Sequence, residues 1–167
     1  ADGTTIAHQC TEESVLKATF MALSVAAAAL LLPGCATVGA PAKQIHSTSD
    51  IYPAIGPYSQ MVQAGNLVFL SGVIPLNKAG TAVEGATIEE QTRLVLAYIG
   101  AKLKSRGLGY EDVVMSTVYM KNLNDFATMN RIYAESFKTA PPARATVEVA
   151  RLPRDVLIEI AVVAAVK

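Results

Sequence analysis

The stretch "PPARATVEVARLPRDVLIEIAVVAAV", from Pro141 to Val166, constrains this chain more than any other. In its second half Val156, Ile158, Ile160 and Val162 alternate with Leu157, Glu159, Ala161 and Val163. Successive side chains of a strand point to opposite faces, so this strand is apolar on both and needs cover on both. Glu159 is its only charge between Val156 and Val166. A carboxylate left unpaired there would be strongly penalised or would titrate above its usual range.

The first half carries Arg144, Thr146 and Glu148 on one face, opposite Ala145, Val147 and Val149. If the two strands form a hairpin with Glu148 opposite Glu159, Arg144 and Glu159 share a face. They then lie about four residues apart, roughly 13 Å of backbone, which leaves room for a small acid and a water. Loop length does not fix that register, and a slip by one residue moves Glu159 to the other face. On residue chemistry alone the two charges read as a buried ion pair or as charges at a subunit interface.

The rest of the pattern from Gln44 onward is strand-rich with two helices. "MVQAGNLVFLSGV" is two apolar runs around Gly65-Asn66, suited to a tight hairpin turn. "TIEEQTRLVLAYIGAKLKSRG" opens with Thr87 and Glu90 in capping-box spacing, repeats Ile88, Val95, Ile99 and Leu103, and stops at Gly107. "YEDVVMSTVYMKN" reads as a strand. "LNDFATMNRIYAESFK" reads as a helix capped by Asn124 or Asp125 and ended by Pro141-Pro142. The order predicts an α+β fold, a mixed sheet with two helices on one face. With no third layer in the sequence, the other face calls for self-association.

Composition narrows the function classes. At 167 residues with zero formal net charge and 51% hydrophobic content, the chain suits one folded domain, and its balanced charge argues against a nucleic-acid or acidic-lipid partner. The cysteines, Cys10 and Cys35, precede the domain, and His8 and His46 are the only histidines. No metal and no histidine-based triad is therefore expected.

Residues 1–43 read as a signal or lipoprotein-like segment and tether, and residues 44–167 as the domain. The apolar run from Phe20 to Leu32 after Lys17 has the length of a signal-peptide core and falls short of a membrane span. Leu32-Pro33-Gly34-Cys35 resembles a bacterial lipobox with Cys35 as the lipidated residue; Pro33 departs from the usual small residue there. Val38-Gly39-Ala40 offers an ordinary signal-peptidase site. The expected address is periplasmic or outer-membrane-anchored, or cytoplasmic if this segment is no functional signal.

"AIGPYSQ" (54–60), "LSGVIP" (70–75), "VYMKNLNDFATMN" (118–130) and "PPARATVEVARLPRDVLIEI" (141–160) resemble the Rid family, the RidA/YjgF-type enamine/imine deaminases. The resemblance runs from Gln44 to Lys167, with the motifs in family order. It implies a chorismate-mutase-like (YjgF-type) α+β homotrimer with sites in the clefts between subunits. It implies a hydrolase of the 2-iminobutanoate/2-iminopropanoate deaminase kind, turning 2-imino or 2-enamino acids into 2-oxo acids and ammonia without metal or organic cofactor. Carried onto this chain, Arg144 grips the substrate carboxylate and Glu159 handles water. Tyr58, Ser71, Gly72, Asn130 and Thr146 line the pocket. Val73 stands where many members have Gln, and Thr146 where many have Cys, which bears on substrate preference and removes any thiol role. The competing expectation is a non-catalytic trimer that binds 2-oxo acids or acts as a chaperone-like interaction surface.

Overall fold

The computed structural model describes residues 42–166; the expected export segment, with Cys35, lies outside them. The strands are β1 (Gln44–His46), β2 (Met61–Ala64), β3 (Leu67–Val73), β4 (Val113–Met120), β5 (Ala143–Glu148) and β6 (Ile158–Ala165). The helices are α1 (Ile88–Lys104) and α2 (Phe126–Ser136). The strands make one sheet in the order β1-β2-β3-β6-β4-β5, and only β4 and β5 run parallel.

Local signals set the local elements as expected. Gly65 takes φ +61° in the turn between β2 and β3, a conformation open to glycine at little strain. Thr87 Oγ1 accepts from Glu90 N at 3.2 Å while Glu90 Oε2 accepts from Thr87 N at 3.0 Å, closing the capping box of α1. Ile88, Val95, Ile99 and Leu103 are buried against the sheet. The entry to α2 differs from expectation. Asn122, not Asn124 or Asp125, supplies the capping oxygen, accepting from Asn124 N at 2.9 Å, and a short 3-10 turn over Leu123–Asp125 leads into the helix. Asp125 makes no side-chain cap. The helix ends at Ser136, well before Pro141.

The expected terminal hairpin does not form, because β4 lies between β5 and β6. Tyr119 of β4 pairs with Glu159 on one side and Val147 on the other. The arrangement follows strand chemistry. β6, apolar on both faces, takes an inner position with a neighbour along each edge, while β5, with Arg144 and Glu148, takes the sheet edge where charge is tolerated. Val149 N donates to Met120 O at 3.0 Å and Lys121 N to Leu157 O at 3.0 Å, so the connection from β5 to β6 passes the end of β4.

Both helices cover one face. Ile158, Ile160, Val162 and Ala164 of β6 point there and are 2% exposed or less. The opposite face carries an apolar row across all six strands through the paired residues Ile45, Val62, Phe69, Val163, Met115 and Ala143. Within it Ile45 is 64% exposed and Phe69 44%.

The last turn of α1 buries a charge. Lys102 is 2% exposed and its Nζ donates to Ser71 O at 3.2 Å. Burial lowers its pKa from 10.5 to about 8. The unfolded chain therefore holds this proton more tightly than the folded one, and stability should rise as pH climbs from about 8 to 10.5. Lys102→Met is expected to raise stability at pH 7 by about 1–3 kcal/mol. It should also remove the alkaline rise; urea titrations at pH 7 and at pH 10 check both.

Candidate functional site

The residues expected to form one site fall into two groups, on opposite faces of the sheet. Glu159 belongs to the alternating set of β6 that points away from the helices, and its neighbour across β4 is Tyr119. Arg144 is paired with Ser116, which pairs in turn with Val162; Ser116 is 0% exposed on the helix-covered face. The expectation that Arg144 and Glu159 share a face is thereby corrected. It required β5 and β6 to be neighbours, and the intervening β4 changes the parity.

The first group lines a cavity of about 490 Å³ formed by Ile55, Tyr58, Ser71, Gly72, Ile74, Pro153 and Glu159. β3 shifts register against β6 between Leu70 and Val73, a bulge that turns Ser71 and Gly72 into the cavity rim. The Glu159 carboxyl lies directly on Gly72. A Cβ at that position would come within 2.9 Å of Glu159 Cδ and closer still to Oε1, so any larger residue would push the carboxyl from where it stands. Glu159 makes no hydrogen bond or ion pair among the described residues, and burial raises its pKa above the usual carboxylate range.

Its neighbours are partly engaged. Ser71 Oγ donates to Ser59 O at 2.6 Å, which spends its proton on the backbone and leaves lone pairs for the cavity. Ile55 N donates to Tyr58 OH at 3.2 Å, leaving the phenolic proton free to donate. Behind the wall, Tyr52 OH accepts from Ile74 N at 3.1 Å; burial pushes Tyr52 up to about 12 and fixes it as neutral support. Val73, 0% exposed, packs in the core beneath the helices.

The second group is built around Arg144 at the sheet edge. Its Nη2 donates to Asn130 Oδ1 of α2 at 2.7 Å. Its guanidinium stands 4.6 Å from the Tyr133 ring centroid and 5.8 Å from that of Phe126, within cation–π range. Thr146 lies two residues along the same face, its Oγ1 enclosed without a hydrogen-bond partner among the described residues. Burial raises the Tyr133 hydroxyl pKa, opposed by Ser116 and by the Arg144 charge. Glu148, next on this face, accepts from Leu123 N at 2.8 Å and holds the approach to α2.

Phe126 and Tyr133 were not legible as part of a site, since both sit in an amphipathic helix where aromatics ordinarily serve the core. Ile55, Ile74 and Pro153 were equally silent, because loop residues join a cavity only through the tertiary fold. His46 belongs to β1 and does not line the Glu159 cavity. Among the described residues no group of three or more His, Cys, Asp or Glu could hold a metal.

The family model described as Endoribonuclease L-PSP matches residues 48–166. The chain belongs to this family. It is 50% identical over 123 residues to a RutC family protein of Pyrococcus horikoshii, covering 73% of this chain and 97% of that one. It is 43% identical over 122 residues to Reactive Intermediate Deaminase A, chloroplastic, of Arabidopsis thaliana, covering 73% of this chain and 65% of that protein. Among solved structures it is similar to E. coli TdcF with bound serine, at 38% identity and a TM-score of 0.69, covering 74% of this chain and 99% of that one. The Rid-family resemblance of the four motifs and the YjgF-type mixed sheet with two helices both hold.

The raised pKa of Glu159 gives a stability test with a definite sign. The folded state binds this proton more tightly than the unfolded chain. The resulting stability is full below pH 4.5 and is lost as pH rises through the raised value. Glu159→Gln should therefore melt higher than wild type at pH 7 and lose part of the decline that wild type shows above pH 4.5. Thermal melts of both proteins across that range measure it.

Proposed function

We propose that this protein hydrolyses 2-imino and 2-enamino acids to 2-oxo acids and ammonia, at sites that two copies of the chain build together. The observation that supports this reading is the separation of its two charges. Glu159 lines a cavity without a cation, and Arg144 stands on the far face at the sheet edge, held ready by Asn130, Tyr133 and Phe126. One chain cannot apply both to one small molecule. A second copy seated on the apolar face, whose Ile45–Ala143 row needs cover, can bring its Arg144 to the first copy's Glu159 cavity, and a closed homotrimer satisfies every face in this way.

The chemistry needs no more than these groups. The Arg144 guanidinium forks onto the substrate carboxylate. Glu159, its basicity raised by burial, takes a proton from a water as the oxygen attacks the electrophilic imine carbon. Glu159 returns that proton to the nitrogen of the tetrahedral carbinolamine, then takes the hydroxyl proton as the C=O forms, the C–N bond breaks and ammonia leaves. An enamine is first protonated on carbon by the acid form of the Glu159 carboxyl, giving the protonated imine that water then attacks. The phenolic proton of Tyr58 and the lone pairs of Ser71 Oγ can steady the water and the leaving nitrogen. The Arabidopsis relative named Reactive Intermediate Deaminase A supports the reaction class.

Binding without turnover is the second reading, favoured by the serine held by E. coli TdcF. The balanced charge of the chain gives no support to nucleic-acid cleavage, despite the family's description. On location, the Leu32-Pro33-Gly34-Cys35 run supports lipidation at Cys35 and an outer-membrane or periplasmic address. Labelled palmitate uptake lost in Cys35→Ser would bear that out; an unprocessed protein in the cytoplasm would refute it.

Complementation tests the enzyme and the shared site together. With imino acids generated in place by an amino-acid oxidase, Glu159→Gln should lose about 10²–10⁴-fold in turnover while keeping 2-oxo-acid binding. Arg144→Ala should lose both, and Arg144→Lys should recover little. Mixed by co-refolding at equal amounts, Glu159→Gln and Arg144→Ala should restore about a quarter of the wild-type rate, since one site in four unites an intact Arg144 with an intact Glu159. No restoration from well-folded mixed trimers refutes the shared site. Wild-type turnover by Glu159→Gln refutes the catalytic assignment, and binding without any wild-type turnover favours the second reading.

A further inference from the structure

Lys102 is a poor choice for its place if packing alone is considered. Among the described residues, the elements packed around it offer its charge no carboxylate. Glu159 lies on the far face of the sheet, Glu135 of α2 is paired with Arg93, and Asp112 accepts from Gly109 N. On its own helix end Arg106 is turned to Gln63, and the Tyr110 hydroxyl donates to Leu96 O. Burial alone accounts for its lowered proton affinity. An apolar side chain of the same length would fill the core without that penalty. What only a donor can do there is hold the Ser71 carbonyl, which Lys102 Nζ reaches at 3.2 Å.

That carbonyl belongs to the peptide at the β3 bulge, whose two residues, Ser71 and Gly72, both line the Glu159 cavity. A trans peptide is planar, so its N–H points away from its C=O. Holding Ser71 O at the ammonium therefore fixes the direction of Gly72 N–H, away from Lys102, and the height of the Gly72 backbone on which the Glu159 carboxyl rests. We propose that Lys102 is a positioning residue: from the helix side of the sheet it holds the Ser71–Gly72 peptide, and through it sets where the Glu159 carboxyl stands in the cavity. Its kinetic consequence rests on the deaminase reading, but the coupling from Lys102 to Gly72 does not.

The test follows that coupling directly. In the wild-type protein, the Gly72 amide ¹⁵N shift and the Lys102 Cε shift are followed by NMR against pH. Both should inflect together near pH 8, because the neutral amine is a weaker donor to the Ser71 carbonyl. In Lys102→Met the Gly72 inflection should vanish while the fold and oligomeric state persist. In the imine assay the same variant should lose about 10-fold in kcat with KM little changed, the mark of a misplaced group and not of lost binding. The alkaline limb of the wild-type kcat profile should fall at the same inflection. A Gly72 amide that ignores the Lys102 titration overturns the proposal whatever the protein turns over, and the wild-type titration decides this even if Lys102→Met fails to fold. In an active protein, Lys102→Met at the wild-type kcat overturns it as well. A Gly72 amide that follows Lys102 in a protein without imine hydrolysis upholds the positioning role and counts against the deaminase reading alone.

Discussion

β6 needs cover on two faces and a neighbour on two edges, and most of the architecture answers those four needs. β3 and β4 supply the edges. α1 and α2 supply one face, where Ile158, Ile160, Val162 and Ala164 are sealed with Val95, Ile99 and Met129. The second face is met only in part. A small cluster of Tyr52, Ile74, Leu76, Leu152 and Val156 forms around the entry to β6 and packs against both Tyr98 of α1 and Tyr119 of β4, while Phe69 and Ile45 remain open to water. Exposed apolar surface spread across a whole sheet is the kind that soluble chains close by association. Glu159 stands on that same unfinished face, so in the proposed assembly the force that favours association also determines where its cavity is completed.

Elements set by neighbours in sequence were legible, and relations set by neighbours in space were not. Thr87 and Glu90 announce their capping box because both partners lie within one turn, and Gly65-Asn66 announces its turn through a left-handed backbone that glycine adopts at little strain. The position of β4 is different. Nothing local in Val113–Met120 says that it will enter between β5 and β6, yet that insertion alone decides that Arg144 and Glu159 face opposite ways. The site residues named from the four motifs do gather, Tyr58, Ser71 and Gly72 around Glu159, and Asn130 and Thr146 beside Arg144. What the motifs do not carry is the sheet that separates the two groups. Lys102 shows a further limit: it follows Ile99 by three residues and so falls on the buried stripe of α1, but its charge argues for solvent. Position and chemistry disagree there, and such a conflict marks a residue retained for something other than packing.

Each half of the proposed site is finished before any partner arrives. Arg144 has little freedom left, with Asn130 on one nitrogen and two rings along its plane, so few rotamers remain to be lost when a carboxylate binds. Glu159 is confined differently, by a glycine that admits its carboxyl and by a bulge tied from behind. Neither half depends on the other for its geometry, because they share no contact through the sheet. On the proposed reading, the same separation leaves a lone chain chemically incomplete, with a base and no grip at one place and a grip and no base at the other. In the proposed assembly the subunit interface would itself complete the site, so weakening the Ile45–Ala143 row would be expected to reduce turnover without touching either charge.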